Sequence, residues 1–348
     1  MTDTPVPRSM LSDLIKRLLY ATRLLHLYHR IRNDRTLTVV MFHRVLDPRD
    51  PRWPSSDPAY TLSCDLFERC LRFFAAHYNI VSADSVLRAR RGEAKLPGRA
   101  LLVTFDDGWA DNVEYAFPRM QALGIPGLMF VVADAVDRQE AFYQERILGA
   151  WRLGRLTPAD LTQALAVQGI PAHLPSADAE RQMRQLIAVV ESLPDDARQR
   201  LVDGLAVPLE DPHRHMISAS ELRQLGRSGV AVGLHGKTHV PLTRAEDLGA
   251  ELEGAREAMM QRVPDKVAPS TMSFPHGRHD APIVDRAHRA GFEMLFTSVP
   301  ALNATRGTIG NVLGRLGFES GAVADASGRF RPERLALYLF RRPHLVGS

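Results

Sequence analysis

Cysteine is almost absent: the 348 residues hold two, Cys64 and Cys70. Two cysteines cannot build a disulfide framework, and the five residues between them match no common zinc spacing. Cys70 falls in a helical apolar pattern and reads as core. Long apolar runs are absent too. Nothing approaches the ~20 residues that a spanning helix requires, and no charged, apolar and small-residue series marks a secretory signal. Charge of one sign is barely in surplus, with Lys+Arg 44 against Asp+Glu 40 and a net of +4. That bias is too small to argue for nucleic acid, although it suits an anionic surface or a phosphorylated substrate. No internal repeat or low-complexity tract is present, which excludes solenoids. What remains is an ordinary globular chain, 45% hydrophobic and 24% charged, long enough for one large domain or two modest ones.

Chemistry concentrates first at Leu101–Asn112, LLVTFDDGWADN. Apolar and β-branched residues run into two adjacent carboxylates, Asp106 and Asp107, and then Gly108. This reads as a buried strand that stops in a turn. Alternation relaxes at a strand end, so both carboxylates can face one site. Two neighbouring negative charges are costly to bury unless a cation is shared. A metal on one carboxylate, with the other free as a base, resolves the conflict. The plainer reading is a surface Asp-Gly turn.

A second apolar run, VAVGLHGKTH at Val230–His239, ends at His235, with His239 four residues on. On a helix or a tight turn the pair shares one face. With Asp107 it makes a His-His-carboxylate set that leaves coordination positions open. Thirteen histidines make chance pairs easy, so the weight comes from both motifs standing at strand ends.

In combination these stretches resemble the polysaccharide deacetylases with a NodB homology domain. Thr104–Gly108 is similar to that family's first motif and His235–His239 to its second, with Gly236 where Ser or Thr is usual. Ser273–Gly277, SFPHG, resembles the third, VVMFHRV at Val39–Val45 the first strand, and MISASELRQL at Met216–Leu225 the helix before the second motif. The resemblance covers roughly residues 36–135 and 216–318.

Strand patterns at 37–42, 79–82, 100–105, 126–132, 229–235, 270–274 and 293–297 alternate with helical ones at 64–77, 113–123, 219–227, 245–262 and 280–290. Such alternation predicts parallel strands covered by helices. The polar motifs fall at C-terminal strand ends, which favours a barrel over an open sheet. The resemblance implies an α/β fold, a distorted barrel of about seven parallel strands. The domain expectation is an amphipathic segment at 1–35 and a barrel at 36–345. Helical patterns at 142–153, 158–167, 177–193 and 195–205, the third after Ser176, predict an insertion at about 138–215 following strand four. It reads equally as a lid, a substrate-selecting cap, a partner surface or a stabilising excursion. Leu11–Arg32 carries apolar residues at helical spacing among Lys16, Arg17, Arg23, Arg30 and Arg32. It predicts either a helix packed on the barrel or a basic helix at the inner face of a membrane. With no export signal, the expected location is cytoplasmic, with peripheral attachment to an anionic membrane as the variant. The substrate would then be a sugar, polysaccharide or lipid-linked precursor.

The site expected from these residues places a divalent metal, zinc best suiting two imidazoles, on Asp107, His235 and His239. Asp106 is the base, and backbone N–H groups at Gly108–Ala110 would face the oxyanion. The resemblance implies hydrolysis of N-linked acetyl groups from carbohydrate. It also shows departures. The late Leu-x-x-His motif, which would supply the general acid, reads NVLGRLGF at Asn311–Phe318 and carries Arg315. The arginine that usually opens the third motif is missing at Thr271–Ser273. His43 is the preferred replacement acid and His276 the other candidate. Pro275, His276, Gly277 and Arg315 are candidate substrate contacts, with Arg315 alternatively orienting Asp106. Asp111 either braces the first motif or caps a helix. Two other functions fit less of the pattern: a metal-dependent hydrolase of another amide or ester, and a degenerate barrel that binds glycan without turnover.

Overall fold

Thirteen strands form in the described part of the chain: β1 Thr36–Phe42, β2 Arg44–Leu46, β3 Thr61–Ser63, β4 Asn79–Ile80, β5 Ala100–Phe105, β6 Gly127–Val131, β7 Val230–Leu234, β8 Thr271–Ser273, β9 Met294–Phe296, β10 Leu302–Ala304, β11 Val312–Leu313, β12 Leu316–Gly317 and β13 His344–Leu345. They are seen in a computed structural model that describes residues 8–171, 178–263, 268–307, 309–318 and 320–345. Parallel pairing runs β1–β5–β6–β7–β8–β9–β11. It then returns to β1 through β12, with Val40 opposite Leu316. β11 and β12 are two halves of one broken strand, and the ring closes across the break. Asn303 seals the gap: its side chain accepts from Gly314 N–H at 2.8 Å and donates to the carbonyls of Gly314 and Leu37 at 3.0 and 3.2 Å. The result is a mixed α/β fold whose main sheet curls into a barrel.

Strand alternation divides the core. Leu37, Val39, Leu102, Leu128, Phe130, Met294, Phe296 and Leu313 form one buried cluster. The opposite faces, including Val40, Phe42, Val103, Phe105, Met129 and Met272, pack with Phe67, Phe74, Met120 and other helix residues in a second, larger cluster. Burial of both faces explains why these strands are almost continuously apolar. Helices Cys64–His77, Ala219–Leu225, Leu248–Arg262 and Ala281–Arg289 fall where the periodicity places them.

The differences have local causes. The helix expected at 113–123 begins as a wide turn over Asn112–Ala116, with Phe117 N–H bonded to Asn112 O, and becomes regular only at Phe117–Ala122. Pro118 cannot donate the N–H that a regular turn would require there. The N-terminal segment is two helices, Arg8–Ala21 and Leu24–Arg32, not one. Arg23, with φ 61°, turns the chain between them. The short strands β2 and β3 are too brief for a periodic signal to reveal.

The insertion contains helices Tyr143–Arg152, Pro158–Val167, Ala179–Ser192 and Asp195–Gly204. Ser176, expected to start the third, lies outside the described residues; Asp178 caps that helix by accepting from Glu180 and Arg181 N–H. Ile147, Leu148, Leu161, Leu165, Met183, Leu186, Val190 and Leu201 give the insertion its own small core.

Candidate active site

The carboxylates emerge where β5 ends. Asp106 continues the strand's alternation on the side of Thr104. Asp107 leaves it, because its φ is +76° and that of Gly108 is +86°. An aspartate tolerates this left-handed conformation better than most residues. Three of the six non-glycine residues with positive φ among those described are Asp107, His239 and His276, and all three line one cavity. Strain gathered at one place marks a site held for function.

Each oxygen of Asp107 has a distinct task. Oδ2 accepts from Trp109 Nε1 at 2.9 Å. Oδ1 faces His235 Nε2 and His239 Nε2, each at 3.4 Å. His235 Nδ1–H donates to Ser273 O at 2.9 Å, so its Nε2 carries the free lone pair. Burial pushes His235 down to about 4, partly offset by Asp106, which keeps the ring neutral. Burial works to raise the Asp107 carboxyl, but His239 and then His43 hold it below the usual range. The donor atoms of Asp107, His235 and His239 lie within 4.8 Å of one another. A separation of 3.4 Å is long for an N–H···O bond. It matches the edge of a tetrahedron built on zinc bonds of about 2.1 Å, which is roughly 3.4 Å. The three residues therefore fit a divalent cation in both chemistry and spacing.

The loop carrying the two histidines is not helical. Glu251, from the helix Leu248–Arg262, accepts from the N–H groups of Lys237 and Thr238 at 2.9 and 3.2 Å and from Thr238 Oγ1 at 2.6 Å. Gly236 has φ +72°. A Cβ there would sit strained and 3.1 Å from both Glu251 Oε2 and the Pro275 ring, which accounts for glycine in place of the usual Ser or Thr.

Asp106 lies beside this set, its Oδ2 4.0 Å from His235 Nε2. Arg315 grips it at both oxygens, Nη1 to Oδ1 at 2.6 Å and Nη2 to Oδ2 at 2.7 Å. Arg315 also donates to Ser273 Oγ at 2.6 Å and to Thr297 O at 3.1 Å. Burial tends to raise the Asp106 carboxyl, but Arg315 holds it below the usual carboxylate range. Arg315 stands at the break between β11 and β12, and its guanidinium is committed to protein groups. It lines the cavity behind Asp106, which it holds in place.

The cavity holds about 420 Å³. His43 lines it at the end of β1, its ring edge-on to Tyr60 with centroids 4.8 Å apart. His276 stacks on His239 with centroids 4.8 Å apart, and its Nδ1 lies 3.5 Å from Glu191 Oε1. Gly277 reaches the lining, whereas Pro275 is buried against Gly236 and does not. Ala110 N–H is already bonded to His215 O at 2.8 Å, which removes it from the turn's potential oxyanion donors. Asp111 makes no helix cap. It is buried and accepts from Val45 N–H at 3.0 Å and Arg44 Nε at 2.9 Å.

Sequence reading missed several residues here. Trp109, Ser273, Glu251 and Arg44 lie close to the motifs but carry no spacing signal. Gln144, Leu148, Arg184, Ile187 and Glu191 come from the insertion, which walls one side of the cavity. Arg184 is tied across to Asp57 by hydrogen bonds of 2.8 and 2.9 Å.

The family described as Polysaccharide deacetylase matches residues 93–295, more than half of the chain. No protein of curated function matches by sequence. Among solved structures, the Streptococcus pyogenes deacetylase PplD in complex with acetate is 14% identical, over 87% of this chain and 98% of that one, with a TM-score of 0.55. BC0361, a polysaccharide deacetylase from Bacillus cereus, is 15% identical over 87% and 69%, at 0.54. IcaB from Ammonifex degensii is 17% identical over 88% and 97%, also at 0.54. At these identities the likeness speaks for the barrel fold, while the family match spans both the Asp-Asp and the His-x-x-x-His motifs. The chain belongs to the polysaccharide deacetylase family.

Proposed function

We propose that this chain is a metal-dependent N-deacetylase that removes acetyl groups from an amino sugar in a polysaccharide or a glycan precursor. The observation that carries the reading is the convergence of Asp107, His235 and His239 beside the Arg315-held Asp106 in one cavity. A divalent cation held by those three residues, zinc being the best match to two imidazoles and a carboxylate, would supply Lewis acidity to activate water and polarise the acyl carbonyl.

The chain's own groups divide the remaining work. Asp106 stays ionised against Arg315 and keeps lone pairs for a third partner, so it can take a proton from the attacking water. Trp109 fixes which oxygen of Asp107 faces the histidines. His43 stands on the open wall of the cavity and is the candidate donor of a proton to the leaving amine. His276 is less suited, because its face is stacked on His239 and burial pushes it down to about 3. Ile187 offers apolar surface, and Tyr60 a ring, for a sugar face.

The test is metal analysis of the purified protein together with acetate release from N-acetylated and O-acetylated saccharides. Stoichiometric metal with release from N-acetyl sugars only is the expected result. Release from O-acetyl sugars alone would make the chain an esterase, and bound glycan without release would make it a binding module.

A further inference from the structure

The two N-terminal helices use one face and leave the other uncovered. Leu25 and His29 are buried, and the His29 ring stacks on Phe340 with centroids 4.0 Å apart. Tyr20 stacks on Phe73 at 6.4 Å, and Arg32 donates to the carbonyls of Phe340 and Arg342 at 3.1 and 2.9 Å. These contacts fix the segment on the flank of the barrel.

The outer side is apolar. Leu24, Leu27, Tyr28 and Ile31 follow the i, i+3, i+4, i+7 spacing of one helical face. Leu14 and Leu18, with Ile15, do the same on the first helix. All seven are 40% to 74% exposed. They are half of the fourteen large apolar side chains that the described residues expose, and they fall between positions 14 and 31. The other seven are scattered over the rest of the chain, as on any soluble surface. The concentration is therefore specific to this segment.

Charge indicates what covers it. Residues 8–32 contain six Lys and Arg but one acidic residue, Asp13. Arg17, Arg23 and Arg30 are exposed beside the apolar faces, and Arg23 and Arg30 make no ion pair with any described residue. A second copy docked face to face would bring these cations together, because a two-fold contact is self-complementary. An anionic bilayer takes the apolar side chains into its interface and offers phosphates to the long cationic ones. No helix among the described residues is long and apolar enough to cross a membrane, so the attachment would be peripheral.

We propose that the outer face of helices Arg8–Ala21 and Leu24–Arg32 is a docking surface for an anionic lipid bilayer. None of its residues lines the catalytic cavity, so docking and turnover are separable. The experiment is co-sedimentation of the full chain with phosphatidylcholine vesicles with and without phosphatidylglycerol. Binding is expected only with the anionic lipid and should weaken with salt. Replacing Leu24, Leu27 and Ile31 together by serine should abolish it while the melting temperature is retained. Arg23→Gln with Arg30→Gln should weaken it by about fivefold per residue, the equivalent of ~1 kcal/mol for each cation near the surface. Three results would overturn the proposal: no sedimentation with anionic vesicles, unchanged binding by the serine variant, or a dimer in solution that the serine variant dissolves.

Discussion

Arg44 and Glu145 meet at 2.8 Å, and through that contact the insertion is fastened to the first motif. Arg44 is 1% exposed. Its Nε donates to Asp111 at 2.9 Å, its Nη2 lies 3.3 Å from His215 Nδ1, and its guanidinium sits 4.4 Å above the Trp109 ring. Trp109 in turn holds Asp107. One buried cation thus links the insertion to a residue of the donor set.

Glu145→Ala leaves that cation short of a partner in the interior. Breaking a buried pair by removing one member costs about 3–5 kcal/mol. The denaturant midpoint should fall accordingly, and KM should rise more than kcat falls, because a wall of the cavity loosens. Arg184→Ala, where the arginine is partly exposed and its partner Asp57 is buried, should cost less, between about 1 kcal/mol for a surface pair and about 3 kcal/mol for a buried one.

Arg315→Met removes both hydrogen bonds to Asp106. The carboxyl then keeps the upward push of burial without its opposing cation. The acidic limb of the pH–rate profile should move up, with a loss of roughly 100-fold or more in kcat at neutral pH, the scale of a lost base. Metal content should be unchanged. Arg315→Lys should restore only part, because an ammonium cannot reproduce the two-point grip.

The two adjacent carboxylates should separate cleanly. Asp106→Asn should retain metal and lose about 100-fold or more in rate. Asp107→Ala and His239→Ala should lose the metal itself. Trp109→Phe, which deletes only the bond to Asp107 Oδ2, should weaken metal affinity by about 10–100-fold, the usual effect of an outer partner. Metal loss in Asp106→Asn with retention in Asp107→Ala would exchange the two roles.

Acid stability can be worked out from histidines far from the site. Burial pushes His29 down to about 3 and His77 down to about 4. Both are neutral when folded and take up a proton near 6.5 when unfolded, so their contribution is complete above that value. It is lost as pH falls from about 6.5 toward about 4 for His77 and about 3 for His29, at up to ~1.4 kcal/mol per pH unit for each group. The unfolding midpoint should drop over that window, and less steeply in His29→Gln.

The sequence was most legible where the chemistry is local. Asp106, Asp107 and Gly108 are consecutive, and His235 and His239 share one loop, so their type and spacing survive without a structure. The strands β1, β5 and β6 were legible because burial on both faces leaves a continuous apolar run. Arg315 stood out as a departure, but its grip on Asp106 depends on the register in which β12 meets β1. Arg44 and Glu145 had no signal, because their partners are set by packing between elements far apart in sequence. The turn at Arg23 was invisible, since arginine rarely adopts that backbone conformation.

The broken strand at Val312–Gly317 joins completion of the barrel to the holding of Asp106, because both need β12 in place on β1. Until β12 docks against β1, Asp106 has no arginine, while Asp107, His235 and His239 are already available upstream. On an emerging chain Asp107, His235 and His239 therefore precede the arginine that holds Asp106. The last stave of the barrel therefore acts as a latch on Asp106.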